Sequence, residues 1–225
     1  MKVVIVTATE KELALLRQKI NSSGIINRAD ILVDFMISGV GILASCFSIT
    51  ELIFTQKPDL IIQAGIAGTF DPKVQLGSVF VVENEYIGDL GVEESGIFKD
   101  IFDLQLLQPN ENPFFQNKLN NKAINKWNVT SLPSVNAITV NEITTNPKRI
   151  GQVKEKYHPT LESMEGASLH YCCTKTATSF VQIRAVSNAV GERDKTKWAL
   201  KEALNNLSQN VLAYIEKLTY LRQTF

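Results

Sequence analysis

The sequence predicts an α/β fold: three α/β/α layers, with helices on both faces of a central twisted, largely parallel mixed sheet. Three observations predict it. Apolar runs of strand length, such as "KVVIVTA" and "LIIQA", are nearly continuous, as strands covered on both faces must be. Segments with helical apolar spacing alternate with them, the arrangement that builds a parallel sheet. No repeat, linker or compositional break interrupts residues 1–225, so one domain over 1–225 is expected.

Each element has a local reason. "KVVIVTA" is β-branched and of strand length, and "EKELALLRQKI" places Leu13, Leu16 and Ile20 at helical spacing. "DILVDFMIS" reads as a second strand, and "ILASCFSITELIF" sets Ile42, Cys46, Ile49 and Ile53 on one helical face. Pro58 bars continuation of that helix before the strand "LIIQA", which is followed by an expected loop, "GIAG". "LGSVFVVENEYIG" is another strand, opening an acidic loop "DLGVEE". The Asn- and Pro-rich stretch from Ser95 to Asn128 reads as loop with at most a short helix. "NVTSLPSVNAITVNEIT" reads as two short strands. Helices are expected over "NPKRIGQVKEKY" and "ESMEGASLHYCCTKT", the latter with Met164, Ala167 and Tyr171 on one face. "SFVQIRAVSN" is a late strand. The final helix repeats Leu204, Leu207, Val211, Ile215 and Leu218 at three- and four-residue steps.

Composition excludes several classes of function. Lys+Arg and Asp+Glu both total 23, so no net field favours nucleic acid or an acidic membrane as partner. No apolar run reaches the roughly 18 residues of a transmembrane helix. The N-terminal apolar run is too short for a secretory signal, which makes a cytoplasmic location the expectation. Cys46, Cys172 and Cys173 form neither a disulfide framework nor a metal spacing and read as reduced thiols of the core or a helix face. His158 and His170 lie near no ligand partner, so neither metal nor cofactor is expected.

Three stretches could carry chemistry. In "ATEKE" a carboxylate at the exit of the first strand could act as general base on water. Glu10 and Glu12 are equally explained as first-turn acids of a helix, and alone that reading prevails. In "QAGIAG" the glycines allow close main-chain approach to a ligand, but a tight strand–helix turn explains them as well. The stretch is neither a dinucleotide fingerprint nor a P-loop. In "ESMEGAS", Glu165 could accept hydrogen bonds from a vicinal diol or simply sit at a helix start. No Ser-His-Asp or Cys-His arrangement stands out.

Taken in order, "ATEKE", "QAGIAG", "LGSVFVVENEYIGDLGVEE", "ITVN", "ESMEGAS" and "RAVSN" resemble the purine nucleoside phosphorylase/nucleosidase superfamily, in its hydrolase branch. The likeness is collinear over nearly the whole chain. "DLGVEE" and "SNAVGERDKTKW" make it resemble the futalosine hydrolase family more than the methylthioadenosine/S-adenosylhomocysteine nucleosidases. The resemblance implies a phosphorylase/hydrolase-like fold and hydrolysis of an N-ribosidic bond, releasing hypoxanthine from futalosine in menaquinone biosynthesis. It implies a small nucleoside as the partner, no cofactor, and a homodimer or higher homo-oligomer. By position, it makes Glu12 the carboxylate that activates water. Gly65, Ile66, Ala67 and Gly68 become the lining of the ribose and base site. Thr139 and Val140 flank the purine, and Met164 and Glu165 lie under the ribose.

Asn188 falls where the adenine-specific nucleosidases of the family carry Asp. Adenine presents a donor beside N7, whereas hypoxanthine presents two adjacent acceptors, O6 and N7. An Asn amide can donate toward them without a charge that repels O6. A buried polar mismatch costs about 1–3 kcal/mol, enough to discriminate bases. The resemblance thus implies a 6-oxopurine leaving group, with Asn188 stabilising it as charge builds. In "GERDKTKW", Arg193 suits a substrate carboxylate and Trp198 a packing surface; Arg193 could equally pair with Asp194. A phosphorolytic relative would need a phosphate site, and no Arg precedes "GIAG". The alternatives are a methylthioadenosine/S-adenosylhomocysteine nucleosidase and a non-catalytic nucleoside-binding relative.

Overall fold

The computed structural model describes residues 1–25 and 31–223. Its elements, in chain order, begin with β1 (Lys2–Thr7), α1 (Glu10–Ser22), β2 (Leu32–Ile37), α2 (Ile42–Gln56), β3 (Leu60–Thr69) and β4 (Val79–Ile87). Then come β5 (Gly91–Glu94), β6 (Ile97–Asp100), β7 (Leu119–Asn120), α3 (Ile124–Trp127), β8 (Ser134–Thr139) and α4 (Pro147–Tyr157). The chain continues through β9 (Leu161–Ser163), α5 (Gly166–Thr176), β10 (Phe180–Ala189) and α6 (Leu200–Gln223). Asp30, the first residue of the expected second strand, lies outside the described residues.

The three layers follow from the period-two burial of β1. Val3 and Ile5 pack with Leu16, Ile20, Val211 and Ile215, so α1 and α6 cover one face. Val4 and Val6 pack with Ile49, Leu52, Leu169 and Cys173, so α2 and α5 cover the other. The sheet is mixed: β1 pairs in parallel with β2 and β3, and β3 with β10, while β4 runs antiparallel to β10.

Part of the sheet closes on itself. The pairings run from β3 to β10, β4, β8 and β9 and return to β3. Ala67, Val82, Ala137, Leu161 and Val186, one from each of these strands, form a single buried cluster inside that ring. Small residues at two of these positions fit a ring this narrow.

Several local expectations differ from the structure. "GIAG" is the carboxyl-terminal half of β3, not a loop. The acidic "GVEE" is strand β5 of a hairpin with β6, turned by Ser95 and Gly96 at positive φ. "NVTSLPSVNAITVNEIT" contains one strand, β8, because Asn141 to Asn146 leave the sheet. Met164 precedes α5 instead of sharing a face with Ala167 and Tyr171. No described helix is long and apolar enough to cross a membrane.

Candidate active site

The parallel strands β1, β3 and β10 end at the same side of the sheet, where ligands of open α/β proteins bind. A cavity of about 370 Å³ opens there, within the range of small-molecule sites. Its wall includes Glu12, Ile66, Ala67, Gly68, Met164, Glu165 and Asn188, and its rim includes Arg193 and Trp198. Gly65, Thr139 and Val140 are not on the wall.

Glu12 lies in the first turn of α1 and is 7% exposed. Thr9 and Glu12 form a capping box, so the acid does serve its helix. It does more than that. Oε2 accepts from the Thr9 amide at 3.1 Å and the Thr9 hydroxyl at 3.0 Å, while Oε1 accepts from the Ile66 amide of β3 at 3.1 Å. The carboxylate is thereby fixed at the wall of the cavity rather than left to the helix end.

Glu165 is the N-cap residue of α5, yet its side chain makes no capping hydrogen bond. Instead Oε1 accepts from the Gly41 amide at 3.1 Å, and Oε2 stands 3.8 Å from Nη1 of Arg184. Burial raises its pKa above the ordinary carboxylate value, opposed by the Arg184 charge and the Gly41 N–H.

Arg184 is 1% exposed in the middle of β10 and was not singled out by its sequence context. Nη2 donates to Oε1 of Gln63 on β3 at 2.8 Å, and Nε has no partner among the described residues. Gly65 makes room for it. A Cβ at position 65 would collide with Nη1 of Arg184 and come within 3.0 Å of Oε1 of Glu12. Gly65 is therefore the spacer that admits the guanidinium beside β3, where it pairs with Glu165. The signal in the sequence was a lone Arg in an otherwise apolar strand, which a buried position tolerates only with partners.

Asn188 stands at the end of β10, beyond a register shift between Val186 and Asn188, and pairs across to Gly68. Its Oδ1 accepts from the Ser187 hydroxyl at 2.7 Å and its Nδ2 donates to the Ala189 carbonyl at 2.8 Å. The opposite amide orientation would set Oδ1 against that carbonyl, so the network fixes the assignment. One amide N–H and one Oδ1 lone pair remain for a ligand, rather than two donors.

Behind the wall lies a buried polar cluster. The Thr139 hydroxyl donates to Oε1 of Glu85 at 2.8 Å and accepts from the Ala167 amide at 2.8 Å, so it ties β4 to the start of α5. Val140, also buried, donates its amide to the Ser163 carbonyl. The Gln182 amide lies beside both Glu85 and His170, while Oε2 of Glu85, both amide atoms of Gln182 and Nε2 of His170 make no hydrogen bond of regular geometry among the described residues. Burial raises the Glu85 pKa to about 7 and lowers that of His170 to about 4. A Cβ at Gly166 would collide with Oε2 of Glu85, so this glycine lets α5 begin directly over the acid.

At the rim, Asp194 accepts from Thr196 and starts a 3-10 turn (Lys195–Lys197). Arg193 lies 5.7 Å above the Trp198 ring centre and makes no ion pair among the described residues. The Trp198 indole donates to the Glu192 carbonyl at 3.2 Å. Among the described residues no His, Cys, Asp and Glu group is placed to hold a metal.

Comparison with known proteins matches residues 2–218 to the model of the phosphorylase superfamily. A 5′-methylthioadenosine/S-adenosylhomocysteine nucleosidase of Pseudoalteromonas translucida is 28% identical, over 97% of this chain and 98% of the relative. A futalosine hydrolase of Streptomyces coelicolor is 30% identical, over 68% of this chain and 63% of the relative. The solved structure of a futalosine hydrolase mutant of Helicobacter pylori superposes with a TM-score of 0.77 at 14% identity, covering 97% of this chain and 98% of that one. The last is a likeness of fold.

Proposed function

This chain belongs to the phosphorylase superfamily, and we propose that it is a purine nucleosidase that hydrolyses the N-ribosidic bond of futalosine and releases hypoxanthine. The observation that carries the reading is the meeting of two buried carboxylates, Glu12 and Glu165, from separate elements at the cavity wall, with the Arg184 guanidinium paired to Glu165.

In this reading a water molecule held at Glu12 gives up a proton to its carboxylate as it attacks the anomeric carbon. Glu165 accepts from the ribose hydroxyls and stabilises the cationic character that grows on the ring. Arg184 holds Glu165, while Thr9 and the Ile66 amide hold Glu12. Asn188 donates its remaining N–H to the departing purine as negative charge builds, an electrostatic role of the oxyanion-hole kind. Ile66, Ala67, Gly68 and Met164 line the ribose and base site, while Arg193 and Trp198 receive the 5′ substituent. Gly65 acts as spacer, and Thr139 and Val140 support the wall from behind.

A second reading, methylthioadenosine/S-adenosylhomocysteine nucleosidase, is favoured by the length of the alignment to the Pseudoalteromonas relative. The free N–H and free Oδ1 lone pair of Asn188 also fit the N7 acceptor and N6–H donor of adenine, so only the missing charge at this position weighs against it. A second copy of the chain is the proposed partner. Leu43, Phe47 and Phe54 leave an apolar stripe of α2 uncovered, and Val40 at its edge is also on the cavity wall.

The test is chromatography of free bases after incubation with futalosine, inosine and methylthioadenosine, with and without phosphate. Hypoxanthine release from futalosine, independent of phosphate, is the expected result. Comparable adenine release from methylthioadenosine would replace this reading by the second, and an absolute need for phosphate would replace hydrolysis by phosphorolysis.

A further inference from the structure

The sulfurs of Cys46 on α2 and Cys172 on α5 stand 3.4 Å apart. They are far apart in the chain, and α2 and α5 pack side by side on the same face of the sheet. The Thr50 hydroxyl also reaches Cys172 Sγ, at 3.4 Å, and the Cys172 thiol faces the Cys46 carbonyl at 3.7 Å. A disulfide needs about 2.05 Å between sulfurs, so an approach of little more than 1 Å joins them. Cys173, the neighbour in sequence, is fully buried among apolar side chains and takes no part.

We propose that Cys46 and Cys172 are a reversible dithiol–disulfide site that clamps α2 to α5 and thereby controls the setting of Glu165. The clamp acts close to the cavity. Just before α2, the Gly41 amide donates to Glu165, and the Ser168 hydroxyl in the first turn of α5 donates to the Ile42 carbonyl. Drawing Cys46 toward Cys172 pulls on both contacts. A displacement of about 1 Å at a reacting group can cost as much as 10²-fold in rate.

The reaction balances with a low-molecular-weight disulfide as oxidant. Cys46, the more exposed of the pair, loses its proton to solvent and attacks one sulfur of the disulfide, expelling one thiolate. Cys172 then loses its proton and attacks Sγ of Cys46, expelling the second thiolate and closing the intrachain bond. Two protein thiols are oxidised and one disulfide is reduced to two thiols. Burial pushes the Cys172 thiol up to about 12, which makes the second step the slow one.

The experiment treats the full chain with oxidised glutathione and reads intact mass, a peptide map, the melting temperature and nucleoside turnover. The expected result is a loss of about 2 Da, a peptide joining residues 46 and 172, and a melting temperature higher by on the order of 5–10 °C. Turnover falls roughly tenfold or more, and dithiothreitol restores all four readings. C46S and C172S each abolish the mass loss, so either carries the test if the other fails to fold, and C173S retains it. A glutathione adduct on Cys46 with Cys172 still open to alkylation would overturn the site. A crosslinked protein with undiminished turnover would overturn the link to Glu165. The turnover arm rests on the proposed hydrolysis; the mass and melting arms do not.

Discussion

Gly65 and Arg184 occupy one space between them: the guanidinium of Arg184 fills the volume that any side chain at position 65 would need. The two residues are neighbours in register on paired parallel strands, β3 and β10. The glycine therefore sets where the cation sits, and the cation sets how Glu165 stands.

Gly65→Ala tests this directly. Its backbone lies in an extended strand, so no conformational strain is added, but Arg184 must move. Turnover is expected to fall by about 10²-fold with an unchanged far-ultraviolet dichroism spectrum. Wild-type turnover in the variant would show that the placement of Arg184 is immaterial.

The acid limb of the pH–rate profile should report Glu165. Burial raises its pKa, and a protonated Glu165 no longer accepts from two ribose hydroxyls, so activity should fall at a pH above the ordinary carboxylate value. Arg184→Gln removes a charge that lowers this pKa. The limb is then expected to move to still higher pH, alongside a loss of about 3–5 kcal/mol of stability from the unpaired buried acid. A limb that stays in place would detach it from Glu165.

Asn188→Asp should change the base released rather than abolish release. With a carboxylate at this position, adenine nucleosides gain an acceptor for N6–H and oxopurines meet a repelling charge. The ratio of adenine to hypoxanthine release is expected to rise about ten- to hundredfold, the worth of one buried polar mismatch. An unchanged ratio would remove Asn188 from base selection.

Glu85 and His170 make opposite contributions to stability against pH. The folded pKa of Glu85, about 7, is above its unfolded value of 4.5, so its contribution is present below pH 4.5 and lost as pH rises to 7. The folded pKa of His170, about 4, is below its unfolded value of 6.5, so its contribution is present above 6.5 and lost as pH falls to 4. The two largely cancel between these limits. Glu85→Gln should expose the His170 slope, with urea midpoints that fall as pH drops from 6.5 to 4. Relative to wild type, the variant should gain roughly 3 kcal/mol between pH 4.5 and 7. Parallel curves for the two proteins would contradict the buried titration of Glu85.

Much of this was legible in the sequence, because apolar period and length follow directly from burial. The β1 alternation and the α6 repeat announce their layers, and Glu12 of "ATEKE" and Glu162 and Glu165 of "ESMEGAS" reach the cavity wall. What was not legible depends on long-range pairing. Small residues in "GIAG" resemble a turn, yet they extend β3 because a closed ring of strands and a buried guanidinium need thin positions. Arg184, Gln63 and Gln182 are polar interruptions of apolar strands whose partners lie on other strands, so no local window reveals them. Thr139, expected beside the purine, instead bridges Glu85 and Ala167 one layer deeper.

Activation of water by Glu12 is what Glu12→Gln removes. Gln has one acceptor oxygen where Glu12 uses two, so it keeps either the Thr9 capping contact or the Ile66 amide contact and sets its NH2 against the other donor. The capacity to take a proton is lost, and one hydrogen bond goes with it. With the nucleoside best cleaved by wild type, the variant is expected to lose about 10²–10⁴-fold in kcat while staying folded, with stability lower by about 1–3 kcal/mol. Turnover equal to wild type would contradict the role of Glu12 as the base.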